Sequence, residues 1–141
     1  MTIGMILRDR TAPVISARPA DTVRAVLDLL AQHRIGAVPV VDGDRVAGIF
    51  SERDLVRLMS SYGPAALDRS LDEVMTTSPV TCDSGMAVIG ALSQMTQKRI
   101  RHLPVVDDGK LTGFVSIGDL VKYRIDRIEA EAAAMRDYIA S

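Results

Sequence analysis

Cysteine is nearly missing: Cys82 stands alone in 141 residues. One thiol excludes an internal disulfide and any zinc site built on several thiolates, and it reads as a small core residue. An excess of one charge is missing too. The 17 basic and 18 acidic residues are interspersed and leave a formal net charge of −1. No basic stripe is present, so nucleic acid is not an expected partner. No run of about 18 apolar residues occurs, and the opening "MTIGMILRDR" has no cleavable apolar stretch behind a basic flank. Neither membrane insertion nor a leader is expected, and the chain reads as soluble, intracellular and cytoplasmic. There is no Walker-type phosphate loop, paired-carboxylate site or activated nucleophile, so the chain is not expected to be an enzyme. His33 and His102 share no helical face, and His33 reads as an exposed helix-end residue, so no metal site is expected.

What is present is a hydrophobic content of 48%, enough for the core of about one domain, and a repeat. Residues 17–57 align without a gap on residues 82–122. Val23 meets Val88, Leu27 meets Leu92, Arg34-Ile35 meets Arg99-Ile100, and Pro39-Val40-Val41-Asp42 meets Pro104-Val105-Val106-Asp107. Ser51, Asp54, Leu55 and Val56 meet Ser116, Asp119, Leu120 and Val121, while Pro13-Val14 meets Pro79-Val80 after a one-residue slip.

Each copy gives the same local signals in the same order. Val14-Ile15 and Val80-Thr81 follow a proline and suit a brief strand. Val23, Val26, Leu27 and Leu30, answered by Val88, Ala91, Leu92 and Met95, have the spacing of a helix with one buried face. "AVPVVDGDRVAGIFS" and "HLPVVDDGKLTGFVS" each predict two strands joined by a tight turn, with a second helix starting at Glu52 and at Ile117. "SSYGPAALDRS" has the composition of a connecting loop. The expected fold is α/β (α+β), two tandem β-α-β-β-α units. One unit of about 55 residues is too small to bury its faces alone, so the two must pack about a pseudo-two-fold axis that generates two related clefts.

The repeated Ser-x-x-Asp, Ser51 to Asp54 and Ser116 to Asp119, has two readings. It is a helix-capping pair, the serine accepting from the third backbone N–H and the aspartate reaching back. It also stands where a glycine three residues upstream, Gly48 or Gly113, allows close approach to the strand. Pro39 and Pro104 are expected to interrupt the neighbouring strand and free backbone groups, and a helix start offers N–H groups to an anion. Together these features suit a nucleotide cleft.

These stretches resemble the CBS-domain family, named for cystathionine β-synthase, whose paired motifs form a Bateman module. The resemblance runs from Met5 to Lys122, strongest in "AVPVVDGDRVAGIFSERDLVR" and "HLPVVDDGKLTGFVSIGDLVK", and is closest to small stand-alone bacterial pairs. It implies a first motif at 1–60, a linker and connecting helix at 61–74, a second motif at 75–124 and a C-terminal helix at 125–141. It further implies a non-catalytic regulatory module that senses AMP, ADP, ATP or NAD(H), with an aspartate on the ribose. One composite site would join Ser51, Arg53 and Asp54 to Val80, Thr81, Arg101, His102 and Leu103. The other would join Ser116, Gly118 and Asp119 to Val14, Ile15, Gly36, Ala37 and Val38. The first is cationic and the second small and uncharged, so a phosphate is expected in the first. Arg101 reads alternatively as a solvated strand-edge charge, and His102 as filler.

Past Asp119 no helix breaker occurs. Val121, Ile125, Ile128, Ala132, Met135 and Ile139 trace a heptad seam. It would fold back on its own domain or, as the resemblance also implies, join a homodimer. An unidentified regulated protein is a further expected partner. The competing reading is a ligand-free dimerisation module.

Overall fold

The computed structural model describes residues 1–141 and follows the repeat closely. The chain runs α1 (Ile3–Arg8), α2 (Val23–His33), β1 (Ala37–Asp42), β2 (Arg45–Ser51) and α3 (Glu52–Tyr62). A 3-10 turn (Gly63–Asp68), α4 (Leu71–Val74) and β3 (Thr76–Thr77) lead to α5 (Val88–Lys98), β4 (His102–Asp107), β5 (Lys110–Ser116) and α6 (Ile117–Ala140). The segment expected as a loop is therefore largely helical. Ala66 and Leu71 are buried, which explains why it folds down instead of bridging through solvent.

The helices form on the predicted faces. Val23, Val26 and Leu30 of α2 and Val88, Ala91 and Met95 of α5 are buried, each of them except the small Ala91 contributing roughly 1.5–3 kcal/mol of transfer free energy. Both helices end on an arginine in the left-handed region, Arg34 at φ 53° and Arg99 at φ 54°. A glycine would be relaxed there; the Cβ of an arginine costs about 1–2 kcal/mol.

β1 pairs antiparallel with β2 and β4 with β5, each hairpin turning over two residues. In the second turn Asp108 and Gly109 both have positive φ. The same irregularity falls after Val40 and after Val105. Two expectations are corrected. Pro39 and Pro104 do not interrupt their strands: they lie within β1 and β4, and their carbonyls accept from the backbone N–H of Ala17 and Cys82, both at 3.0 Å. Val14-Ile15 and Val80-Thr81 form no strand; single parallel bridges at Ala17 and Cys82 carry the pairing, because those are the residues that reach the proline carbonyls.

The glycines before the two serines serve the chain itself. A Cβ on Gly48 would lie 2.6 Å from the Thr76 carbonyl oxygen, and one on Gly113 would lie 2.6 Å from a methyl of Leu7. The close approach is made by the segment that leads into the opposite repeat. That exchange organises the molecule. Ile3 and Ile6 of α1 pack into the core of the second repeat with Val88, Val105 and Leu120. Leu71 joins the core of the first repeat with Val23, Val40 and Phe50. β5 lies against β1 and β2, closing the pseudo-two-fold. No helix is long and apolar enough to cross a membrane.

α6 is continuous for 24 residues, about 36 Å. Leu120 is buried and Tyr123 half-buried, but Ile125, Ile128, Met135 and Ile139 are 48%, 50%, 59% and 75% exposed. The seam does not fold back on its own domain.

Candidate functional site

Both Ser-x-x-Asp motifs form complete capping boxes. The Ser51 backbone N–H donates to Asp54 Oδ2 at 2.9 Å, and the Asp54 N–H donates to Ser51 Oγ at 3.3 Å. The corresponding distances at Ser116 and Asp119 are 2.8 and 3.1 Å. Capping fixes each carboxylate at a strand-to-helix corner and leaves Asp54 Oδ1 for another donor. Thr76 of β3 supplies one through its hydroxyl at 3.3 Å. That distance is long for an O–H···O bond, hence a weak and exchangeable contact.

Asp54 opens onto a cleft of about 1500 Å³ between the repeats. Of the first predicted site, Ser51, Arg53, Asp54, Val80, Arg101 and His102 line it. Thr81 is exposed outside it, and Leu103 is fully buried in the second core. Of the second site, Gly36, Ser116 and Gly118 line the same cleft, while Asp119 does not. Ala37 and Val38 are buried in the first repeat, and Ile15 packs on its core beside half-buried Val14. The two composite sites thus share a wall instead of standing apart. A Cβ on Gly36 would lie 3.7 Å from His102 Cε1, an ordinary contact.

Sequence reasoning missed most of the charge. Arg34, Arg57, Lys98 and Arg99 line the cleft with Arg53 and Arg101, six cations against the carboxylates of Glu52 and Asp54. None of the six makes an ion pair within the chain. The signal that could have found two of them was the aligned pair Arg34 and Arg99, arginines at helix ends where glycine is usual. Arg53 Nη1 donates to the Arg99 carbonyl at 3.2 Å. Like charges gathered around one cleft raise its potential and favour an anion that neutralises them.

His102 stacks on Phe114, ring centroids 5.5 Å apart and planes 11° from parallel. Burial holds its pKa below the ordinary 6.5, with Asp119 opposing and Arg101 adding to the shift. A stacked, neutral imidazole offers a flat wall to the cleft and contributes little to anion attraction at pH 7.

The second aspartate has a different environment. Arg10 Nη2 lies 2.8 Å from Asp119 Oδ2, and Arg10 Nη1 donates to the Phe114 carbonyl at 2.7 Å. The expectation of an uncharged second site does not fit this arrangement: Arg10, from the lead-in segment of the first motif, engages its aspartate. Burial pushes the Asp119 pKa up, but the Ser116 backbone N–H and the Arg10 guanidinium outweigh it and hold the carboxyl below its ordinary value. No group of three or more His, Cys, Asp or Glu side chains is arranged to hold a metal ion.

Comparison with known proteins agrees with this architecture. The CBS domain family model matches residues 7–61 and 71–126. The CBS domain-containing protein YhcV of Bacillus subtilis is 32% identical over 123 residues, which cover 87% of each chain. The crystal structure of the CBS-domain containing protein ATU1752 from Agrobacterium tumefaciens superposes with a TM-score of 0.81 at 37% identity, covering 87% of this chain and 92% of that one. The CBS domain pair of protein MJ0100, solved in complex with 5-methylthioadenosine and S-adenosyl-L-methionine, shares the fold at a TM-score of 0.78 and 22% identity, covering 90% of this chain and 98% of that one. A motif matched twice, with relatives aligned along most of their length, establishes that this chain belongs to the CBS-domain family.

Proposed function

We propose that this CBS pair is a non-catalytic regulatory module that senses an adenosine-containing nucleotide, AMP, ADP, ATP or NAD(H), in the cleft next to Asp54. The observation that carries the reading is the group of six cations without ion-pair partners lining the same cleft as a capped carboxylate whose second oxygen holds only a long bond to Thr76. In this arrangement Asp54 Oδ1 exchanges its long bond to Thr76 for ribose hydroxyls. Arg53 and Arg101 take the phosphate, each charge-assisted bond being worth roughly 1.5–3 kcal/mol. Val80 and the His102 ring supply apolar surface for the base. The complex of the MJ0100 pair with 5-methylthioadenosine and S-adenosyl-L-methionine supports adenosine as the common element, since both of those ligands carry it.

The module acts in the cytoplasm as a homodimer through the exposed α6 seam, and passes its ligand state to a regulated protein. Dimerisation alone would leave the six cations without a purpose, so nucleotide binding is the preferred reading. Calorimetry with AMP tests it. Asp54→Ala is expected to weaken binding by about one to two decades, corresponding to roughly 1.5–3 kcal/mol. Unchanged AMP affinity with the fold intact would reduce Ser51-x-x-Asp54 to a helix cap.

A further inference from the structure

Counted back from Pro13 and Pro79, Arg10 and Thr76 hold the same place, each three residues before its proline. Both meet the aspartate of the opposite repeat's capping box, and they meet it with different chemistry. Thr76 presents a neutral hydroxyl at 3.3 Å to Asp54. Arg10 presents a guanidinium at 2.8 Å to Asp119, within the range of a charge-assisted bond. The edge of the hairpin differs in step. In the first repeat β3 pairs with β2 through Thr76 opposite Ile49 and Thr77 opposite Gly48. In the second no third strand exists, and Arg10 supplies its hydrogen bond to Phe114, the residue that aligns with Ile49. Ser116, Ile117 and Gly118 open on the central cleft, whereas Asp119 lies outside it on the Arg10 side.

We propose that Arg10 is a built-in occupant of the second ribose position: it engages Asp119 and closes that half of the module to adenosine, so that the free chain offers nucleotide only the Asp54 half. The proposal rests on the nucleotide reading for the identity of what is excluded. Adenosine is the decisive probe, because it has the ribose that competes for Asp119 and lacks a phosphate that Arg10 could bind instead.

The test is calorimetry of the full chain with adenosine and with AMP. The unaltered protein is expected to take one molecule per chain. Arg10→Ala is expected to take two, the new event at least tenfold tighter than any second binding before, and lost again when Asp119→Ala is added. Thr76→Arg is expected to do the reverse and close the first half. Should Arg10→Ala fail to fold, Arg10→Gln keeps a donor for Phe114 while removing the charge, and the same second event is expected. Binding of one molecule by both the unaltered and the Arg10→Ala protein would overturn the proposal and leave the nucleotide reading standing, Arg10 being then a clasp for the strand edge. Weaker AMP binding by Arg10→Ala would also overturn it, by making Arg10 a phosphate ligand. No binding by the unaltered protein but one molecule by Arg10→Ala would support the closure and overturn the assignment to Asp54. No binding by either would overturn both.

Discussion

Arg53 and Arg99 are joined across the pseudo-two-fold: the guanidinium at the start of α3 donates to the carbonyl at the end of α5 at 3.2 Å. The bond ties the helix start of one repeat to the helix end of the other. A helix C-terminus is partially negative and suits a guanidinium, so the contact holds Arg53 at the cleft wall beside the Arg99 side chain without neutralising either. Arg53 is therefore set in place by the packing of the repeats before any ligand arrives.

Arg101 separates phosphate recognition from pocket shape. Arg101→Ala is expected to weaken AMP about tenfold, near 1.4 kcal/mol, while adenosine changes less than about twofold. Calorimetry with the two ligands in parallel checks this. Equal losses for both would make Arg101 a wall residue.

The two hairpin glycines are expected to differ in stability cost. Gly48→Ala drives its methyl into the Thr76 carbonyl, which belongs to a paired strand and has little room to move. Gly113→Ala meets only the end of the Leu7 side chain, which can change rotamer. Urea unfolding should give about 2–3 kcal/mol for Gly48→Ala and about 1 kcal/mol for Gly113→Ala, the usual range for overpacking. A larger loss at Gly113 would contradict this ranking.

His102 sets an acid limit on stability. Its folded pKa lies below 6.5, so the unfolded chain takes up the proton first as the pH falls. Stability is full above that value and is lost as the pH drops from there through the folded pKa. His102→Phe keeps an aromatic partner for Phe114 and removes the titration. Its unfolding free energy should fall less between pH 7.5 and 5.5 than that of the unaltered protein; parallel curves would exclude His102 as the source.

The α6 seam is expected to hold two chains together. Ile128→Asp, or truncation after Lys122, should shift the mass measured by light scattering at micromolar concentration from two chains toward one. An unchanged mass in both variants would remove α6 from the interface.

The parts of this fold that announce themselves in the sequence are periodic or duplicated. The α2 and α5 faces, both hairpins and both capping boxes follow from spacing alone, because buried faces and turns repeat at fixed intervals. Gly48 and Gly113 were legible as sites of close approach, yet what approaches is Met75-Thr76 and Leu7, not a ligand. Local pattern records that space is needed without naming the occupant. Arg10 was not legible at all. It lies outside any periodic segment, and its carbonyl partner Phe114 is 104 residues away, a pairing created only when α1 docks on the opposite repeat. The cleft cations escaped for a related reason: Lys98 and Arg99 stand at the end of α5, where basic residues are ordinary, and only the packing of the two halves brings them to the cleft.

The exchange of lead-in segments also sets an order of events during synthesis. A chain made from its N-terminus has Ile3 and Ile6 ready long before Val105, Val115 and Leu120, the residues that cover them, have been made. The first repeat, in turn, lacks Leu71 until its own strands are already complete. Neither half can finish as it emerges from the ribosome. The apolar face of α1 stays uncovered until β4, β5 and the start of α6 have been made, so aggregation or chaperone capture at that stage falls on α1.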